Sequence, residues 1–315
     1  MALNTNATDT SGLNDASAIF YDKVLLEFLK KPLYMLEAAE KRKLPKGSGT
    51  AVQFLRPVPF AAATTPLTEG VTGNGQVWQS TKIPATPLQY GGYVSLSDRL
   101  LLEAYDDITK AIMEVLGYQA GLTIDSLIIA ALEGNMTELF TGSATSELTT
   151  SVACAAVDFR RAAKILLTNA VMPVKEDCFA GVIHPATAAD LQSDSAAGGW
   201  LDVNKYISLK DNHDAVLQGE IGKLYKIRFQ ESPNISTGVG ASSAVTYHNW
   251  VIGRQAFGAV DVASMGVEKI VNQPGSAGAL DPLSQIGSIG WKTFFVAPVL
   301  DANRAVEVIG TSNFS

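Results

Sequence analysis

The residues that could support catalysis or metal binding in this chain are few and widely spaced. The histidines and cysteines lack metal-ligand spacing to one another; they are His184, His213, His248, Cys154 and Cys178. The chain also lacks a G-x-S-x-G nucleophile elbow and an H-E-x-x-H zinc motif. We therefore predict structural or surface roles for the histidines, buried apolar surroundings for the cysteines, and neither enzymatic activity nor a bound cofactor or metal.

Two glycine-containing turns fall short of a phosphate-binding loop. Gly73-Asn74-Gly75 lacks the third glycine of a dinucleotide loop, and its Asn-Gly pair is a strong signal for a tight hairpin turn. Gly222-Lys223 is followed by Leu224, where a phosphate loop needs serine or threonine. Neither turn predicts a nucleotide cofactor.

The composition indicates a large core with a thin charged surface. The chain has 315 residues, of which 47% are hydrophobic and 17% charged, against about 25% charged in an average soluble protein. Its net charge of −7 argues against a protein whose main task is to grip nucleic acid. The longest apolar block, around 122–132, is interrupted by Asp125 and Ser126, so we expect no membrane-spanning helix and no membrane partner. One explanation for the missing charge is that other copies of the chain cover much of the surface.

Residues 1–56 are predicted to form an N-terminal arm and a helix. The helix begins at residue 14 or 15 and continues to about Lys43, with Pro32 kinking or dividing it. Six of the 17 residues at 30–46 are basic. This basic run favours a solvated helix face, and the alternative is contact with nucleic acid or an acidic partner.

The segment 57–92 has the pattern of a long hairpin. It contains five prolines. The stretches 77–83 and 90–97 have the residue pattern of strands, and the second of them continues beyond the end of the segment. A hairpin of this composition would have difficulty forming its own core. We therefore predict an extended arm that lies on another surface.

The clearest single element is a helix over 107–134. Apolar residues recur every three or four positions along it, and further apolar residues widen the surface beyond one stripe. Gly117 and Gly121 lie four positions apart on one face, although each costs about 1 kcal/mol relative to alanine. They predict close approach by a neighbouring backbone on a face that an isolated chain would expose, and ordinary core packing is the alternative.

A series of short motifs follows a distinctive order over about 50–310. In chain order the motifs are Pro66-Leu67-Thr68-Glu69-Gly70-Val71-Thr72, Gly75-Gln76, Gln89-Tyr90-Gly91-Gly92-Tyr93-Val94, Ser97-Asp98, Gln119-Ala120, Thr123-Ile124-Asp125, Ile183-His184-Pro185, Gly219-Glu220-Ile221-Gly222-Lys223-Leu224, Arg228-Phe229, Val251-Ile252-Gly253, Asp281-Pro282-Leu283-Ser284-Gln285 and Gly290-Trp291-Lys292. Each motif is weak alone, but the ordered set resembles the major capsid proteins of tailed bacteriophages, in the branch of the N-four-like phages. One departure is Tyr225-Lys226-Ile227, where that family usually has a glycine after the Gly-Lys-Leu turn.

The fold class indicated by one long helix, several short helices and mostly antiparallel strands is α+β. The resemblance implies the Hong Kong 97-type capsid fold. Its parts would be an N-terminal arm and helix (1–56), an extended β-hairpin loop (57–92), a peripheral domain with the spine helix 107–134 (93–145), an axial domain (146–260), and peripheral-domain strands with a C-terminal return (261–315).

The function implied by the resemblance is self-assembly into the icosahedral head of a tailed phage, as hexamers and pentamers around double-stranded DNA. We expect the 57–92 loop to lie on an adjacent subunit, with Glu69 paired to a basic residue there. The candidate interface residues are Pro66, Leu67, Glu69, Gly70, Val71, Trp78, Gly117 and Gly121.

The expected partners are other copies of the chain, a separate scaffolding protein, a portal and a decoration protein. DNA would be enclosed without sequence-specific binding. The expected location is the virion, after assembly in the host cytoplasm. Two alternatives remain from sequence: the shell of a cellular nanocompartment with the same fold, and a soluble hydrolase or binding domain.

Overall fold

The computed structural model describes 13 stretches of the chain: residues 7–8, 34–45, 49–66, 69–70, 72, 75–103, 108–141, 153–175, 177–194, 200, 220–262, 266–276 and 282–314. Within them the helices are α1 (Tyr34–Glu37), α2 (Asp98–Glu103), α3 (Ile108–Leu132), α4 (Ala156–Thr168) and α5 (Pro185–Ser193). The strands are β1 (Ala7–Thr8), β2 (Glu40–Leu44), β3 (Val52–Pro57), β4 (Ser80–Ala85), β5 (Leu88–Ser97), β6 (Thr137–Phe140), β7 (Phe179–Ile183), β8 (Glu220–Leu224), β9 (Ile227–Glu231), β10 (Thr237–Val239), β11 (Val245–Ile252), β12 (Gly258–Val262), β13 (Glu268–Asn272), β14 (Ile286–Val296) and β15 (Ala305–Gly310).

The first sheet has the strand order β1-β5-β14-β12-β2, with β13 also paired to β14. Its centre is the antiparallel pair β5–β14, which runs in register from Leu88 opposite Phe295 to Ser97 opposite Ile286. The long helix α3 packs on this pair, where Met113, Leu116, Ala120 and Ile124 share one core cluster with Ile289, Trp291 and Phe295. The side chain of Gln119 also accepts a hydrogen bond from the Trp291 indole, at 3.1 Å.

A glycine on β5 leaves room for the Gln119 side chain of α3. A Cβ atom at Gly92 would lie 2.8 Å from the Gln119 side-chain oxygen, closer than a van der Waals contact allows. A larger residue here would displace that side chain and disturb its hydrogen bond with the Trp291 indole.

The second sheet has the order β6-β15-β11-β7-β9-β8, with β10 also paired to β11. On one face, α4 and α5 pack over a cluster that includes Val251, Val306 and Phe229. The alternate residues of β11, Trp250 and Ile252, belong instead to the core that contains α3. Because successive strand residues point to opposite faces, this sheet is buried on both sides at its centre.

The N-terminal helix predicted to continue to about Lys43 ends earlier than that. Among the described residues 34–45, Tyr34–Glu37 alone is helical, and Glu40–Leu44 is β2, a strand parallel to β12. The hydrogen-bond partners offered by β12 override the local helical pattern, and Leu44 is buried while the basic residues before it are exposed. The beginning of the predicted helix, at 14–33, lies outside the described residues.

The segment 261–315 contributes to both sheets. Strands β13 and β14 join the first sheet, whereas β15 lies in the second sheet between β6 and β11. Strand β6, in a region whose polar, threonine-rich sequence predicts only a connection, pairs in parallel with β15. The chain therefore crosses between the sheets more often than the sequence pattern indicates.

Tyr225 and Lys226, at the position where the resembling capsid proteins usually have a glycine, form a two-residue hairpin turn between β8 and β9. Leu224 pairs with Ile227, and both turn residues have positive φ, 48° and 67°. This is the geometry of a type I′ turn, in which glycine avoids the strain of a left-handed backbone.

We predict that Lys226→Gly stabilises the chain by about 1 kcal/mol, because it relieves a left-handed conformation at an exposed residue. The measurement is the urea midpoint of unfolding. Lys223→Gly is the matched control, since it places glycine at an exposed position inside strand β8 and should lower stability. Equal midpoints for Lys226→Gly and the parent chain would contradict the prediction.

Candidate subunit-interaction surface

Strands β3 and β4 form the two-stranded root of the predicted loop. They pair antiparallel over six positions, from Val52 opposite Ala85 to Pro57 opposite Ser80. The Val58 N–H extends this ladder by donating to the Gln79 carbonyl at 3.0 Å. Residues 59–78 are therefore the part of the loop beyond the paired root.

The root is fixed to the body of the protein by a small core and an ion-pair network. Phe54 and Ala85 are buried together with Val260 of β12. One carboxylate, Asp301, contacts Arg56 of β3 and Arg304, each at 3.1 Å. These contacts come from three separate parts of the chain, so they set the direction in which the loop leaves the body.

Beyond this anchored root the loop exposes large apolar side chains. Val77 is 79% exposed, Trp78 is 62% exposed, and Phe60 is also exposed. On the root itself, Leu55 and Val58 are exposed as well. A cluster of uncovered apolar side chains on one element is typical of a surface that another molecule covers.

The candidate loop residues within the described chain are all on the surface. Pro66, Glu69, Gly70 and Trp78 are exposed, as expected for a loop whose apolar residues lack cover in one chain. Leu67 and Val71 lie outside the described residues. Whether these six residues contact a neighbouring subunit stays a prediction.

The expectation that an isolated chain exposes the Gly117 and Gly121 face of α3 is wrong. Both glycines are buried on the side of the helix that packs within the chain. The exposed side carries Val115 and Tyr118 instead, at 68% and 49% exposure. Apolar residues occur on nearly every side of α3, and for this reason the sequence could not identify the buried face.

Helix α3 contradicts the expectation that the chain has no helix long and apolar enough to span a membrane. Ile108–Leu132 is long and apolar enough, by length and composition, to cross a membrane. Half of its most apolar window is buried within the chain, and its buried residues form the core with the first sheet. The buried helix of a globular core has this same composition, and a single charged residue such as Asp125 leaves the mean hydropathy within the range of a spanning helix.

The described histidines and cysteines have structural surroundings. His184 caps α5 by accepting a hydrogen bond from the Ala186 N–H, and His248 lies 2.6 Å from the Glu307 carboxylate. That hydrogen bond raises the pKa of His248. Burial raises the pKa of the Cys154 thiol, which disfavours the reactive thiolate.

Clusters of metal-binding side chains are also absent from the part of the chain that the structure describes. No three histidine, cysteine, aspartate or glutamate side chains there could hold a metal ion together. The third histidine, His213, lies outside the described residues.

Comparison with known proteins places this fold among phage capsids. The sequence profile described as phage capsid protein matches residues 80–308. The capsid protein of Ralstonia phage GP4 is 13% identical, with a TM-score of 0.73 over 99% of this chain and 98% of that one. The capsid of cyanophage Pam1 is 13% identical, with a TM-score of 0.70 over 100% and 99% of the two chains. For Helicobacter pylori bacteriophage KHP30 the identity is 10%, the TM-score 0.65 and the coverage 99% of each chain. No curated protein matches the sequence.

The fold is that of a viral shell protein, so the protein is structural rather than enzymatic. The chain belongs to the phage capsid protein family, whose profile covers most of its length. The predicted α+β capsid fold and the predicted capsid function are therefore confirmed. The N-four-like branch stays a prediction, because the matched capsids come from phages of several kinds.

Proposed function

We propose that this protein is the major subunit of an icosahedral tailed-phage head, and that residues 59–78 lie on an adjacent copy in the shell. The observation that carries the proposal is the contrast within one loop. Its root is held by Phe54 and by the Arg56–Asp301 ion pair, whereas Val77 and Trp78 beyond it have no cover in the chain. A fixed root with an uncovered apolar end is suited to association, because the root sets the direction of the loop before binding.

In this proposal the two sheets have different places in the shell. The first sheet and α3 would form the peripheral domain, and the second sheet with α4 and α5 would form the axial domain at the five-fold and six-fold positions. The cluster under α4 and α5 belongs to the second sheet alone and supports this division, whereas the cluster around α3 joins the two parts by including Trp250 and Ile252 of the second sheet. Many weak contacts per subunit would then suffice, since closure of the shell multiplies them.

The proposed partners extend beyond copies of the chain. A separate scaffolding protein, a portal and a decoration protein would join it, with assembly in the host cytoplasm and residence in the virion. Double-stranded DNA would be enclosed without sequence-specific contacts, and the net charge of −7 supports a wall that does not grip DNA throughout.

The proposal is tested by expressing the full chain alone and with candidate scaffold genes, followed by sedimentation and negative-stain imaging. We expect fast-sedimenting hollow shells with icosahedral outlines. A 33.4 kDa monomer under all conditions would contradict the proposal. Shells that co-purify with a cargo enzyme and never enclose DNA would indicate a nanocompartment instead.

A further inference from the structure

A small cleft lies beside the root of the 59–78 loop. Its volume is about 160 Å³. One wall is the beginning of β2, with Glu40 and Arg42, and a second wall is β3. The segment 300–304 closes the third side. All the segments that line the cleft lie inside described stretches of the chain.

Three arginines line this cleft, and two of them already bind a carboxylate. Asp301 contacts Arg56 and Arg304, each at 3.1 Å. The third arginine, Arg42, forms no ion pair with any described residue, although Glu40 lies two positions away on the same strand. Within the described chain, Arg42 is therefore the cation of this cleft that lacks a carboxylate partner.

The Arg42 guanidinium is held over an aromatic ring. Its central carbon lies 4.8 Å from the centroid of the Phe54 ring, and Phe54 is buried in the small core with Val260. A cation–π contact uses none of the N–H groups of the guanidinium in a conventional hydrogen bond. The ring therefore positions Arg42 and leaves it able to bind both oxygens of a carboxylate.

The loop beyond the root carries a single charged residue. Every residue of 59–78 is uncharged except Glu69, which is exposed and forms no ion pair with any described residue. A loop that lies on another protein surface needs a cation for this carboxylate, because a buried unpaired charge is strongly unfavourable. Leu67 and Val71 flank Glu69 in sequence, and the cleft has the exposed apolar side chain of Leu55 at its rim.

We propose that Glu69 of one copy binds Arg42 of the adjacent copy, in the cleft at the root of that copy's loop. This contact rests on the proposed function, because it names the surface on which the loop lies. Arg42 suits this role better than exposed lysines such as Lys41 and Lys82, since its planar fork can bind both carboxylate oxygens. Each copy then offers Glu69 to the next copy and receives Glu69 from the previous one, and such a head-to-tail contact can close into a ring.

The experiment reverses each charge in the full chain and measures the yield of shells by sedimentation. We expect Glu69→Arg and Arg42→Glu each to lower the yield about tenfold or more, because like charges then face each other at the interface. The variant with both substitutions should recover most of the yield. Lys41→Glu combined with Glu69→Arg is the matched control, because it reverses an exposed charge next to Arg42 and should recover nothing.

A mixture of the two single variants tests whether the contact joins different copies. When the two variants alternate around a ring, the reversed charges face each other and so do the unchanged ones. The mixture should therefore recover part of the yield, limited by the five-membered rings, in which two variants cannot alternate. Recovery with both substitutions on one chain but none in the mixture would place the pair within a single copy and overturn the proposal.

Folding of each variant is checked by circular dichroism of the unassembled subunits. Glu69→Arg changes an exposed loop residue, so it tests the contact even when Arg42→Glu fails to fold for lack of the Phe54 contact. A normal yield from Glu69→Arg, or recovery by the Lys41→Glu combination, would overturn the contact and leave the shell function standing. A parent chain that forms no shells would instead overturn the proposed function, and this contact with it.

Discussion

A chain in which residues 59–78 are replaced by Asn-Gly is expected to fold normally and to form no shells. The two new residues would join Val58 to Gln79, which are already hydrogen-bonded at the end of the β3–β4 ladder. Asn-Gly is suited to a two-residue hairpin turn, so the root should keep its geometry. The variant removes Trp78 and Val77, the most exposed large apolar residues of the loop, without touching the buried Phe54 and Ala85.

The described strands determine where this deletion must end. A deletion of 60–86, the natural choice from sequence alone, would also remove β4 and expose Phe54. A failure to assemble would then be indistinguishable from a failure to fold. Shortening the loop to the root separates the two, with circular dichroism reporting the fold and sedimentation reporting assembly.

A single substitution gives the same test at one side chain. Trp78→Asp should lower the yield of shells by about tenfold or more, because burying a carboxylate without a partner is unfavourable. Trp78→Phe is the matched control and should keep most of the yield. Normal shells from the shortened loop, or equal yields from Trp78→Asp and Trp78→Phe, would show that the loop does not hold the shell together.

The sequence predicted best those features that depend on local pattern. Helix α3 was placed within a few residues because its apolar spacing persists over seven turns, and the loop was recognised from proline content and an Asn-Gly turn. Both signals are carried by neighbouring residues. The side of α3 that is buried depends instead on the first sheet, so Gly117 and Gly121 were wrongly placed on an exposed face.

The sequence could not predict pairings between distant segments. Strand β2 has the composition of a helix, and it is a strand because β12, more than 200 residues later, offers it backbone partners. Strand β6 is equally dependent on β15.

Asp125 is expected to make the stability of the subunit fall as the pH rises from about 4 to about 7. Its side chain is fully buried in the middle of α3. The carboxylate accepts hydrogen bonds from the Asn234 amide, at 3.3 Å, and from the Met35 backbone, but its Oδ1 has no partner among the described residues. Burial raises the pKa of Asp125 from 3.8 to about 6, against the opposing effect of the two hydrogen bonds.

The direction in which stability changes with pH follows from proton binding at Asp125. Between pH 4 and 6 the folded chain holds a proton at Asp125 that the unfolded chain has released, so lower pH favours folding. Above about pH 7 both states are ionised and this contribution is lost. Each pKa unit corresponds to about 1.4 kcal/mol, and the full effect is therefore about 3 kcal/mol.

The measurement compares Asp125 with Asp125→Asn, which cannot ionise. Urea unfolding is followed from pH 4 to pH 8 in the loop-shortened chain, so that subunit stability is measured without shell contacts. The difference in unfolding free energy between the two chains should shift by about 2.5 kcal/mol in favour of asparagine from pH 4 to pH 8, because the unfolded chain still holds part of its proton at pH 4. Other groups that titrate in this range, His248 among them, cancel in the difference.

Asp177→Asn is the matched control, since the same substitution at an exposed aspartate should leave the pH profile of the parent chain unchanged. A difference between Asp125 and asparagine that stays constant from pH 4 to pH 8 would contradict the prediction. Asp125 contacts both the turn after β9, through Asn234, and α1, through Met35. Ionisation therefore acts where α3 joins the second sheet to the N-terminal segment, and amide exchange should show these two contacts loosening first as the pH rises.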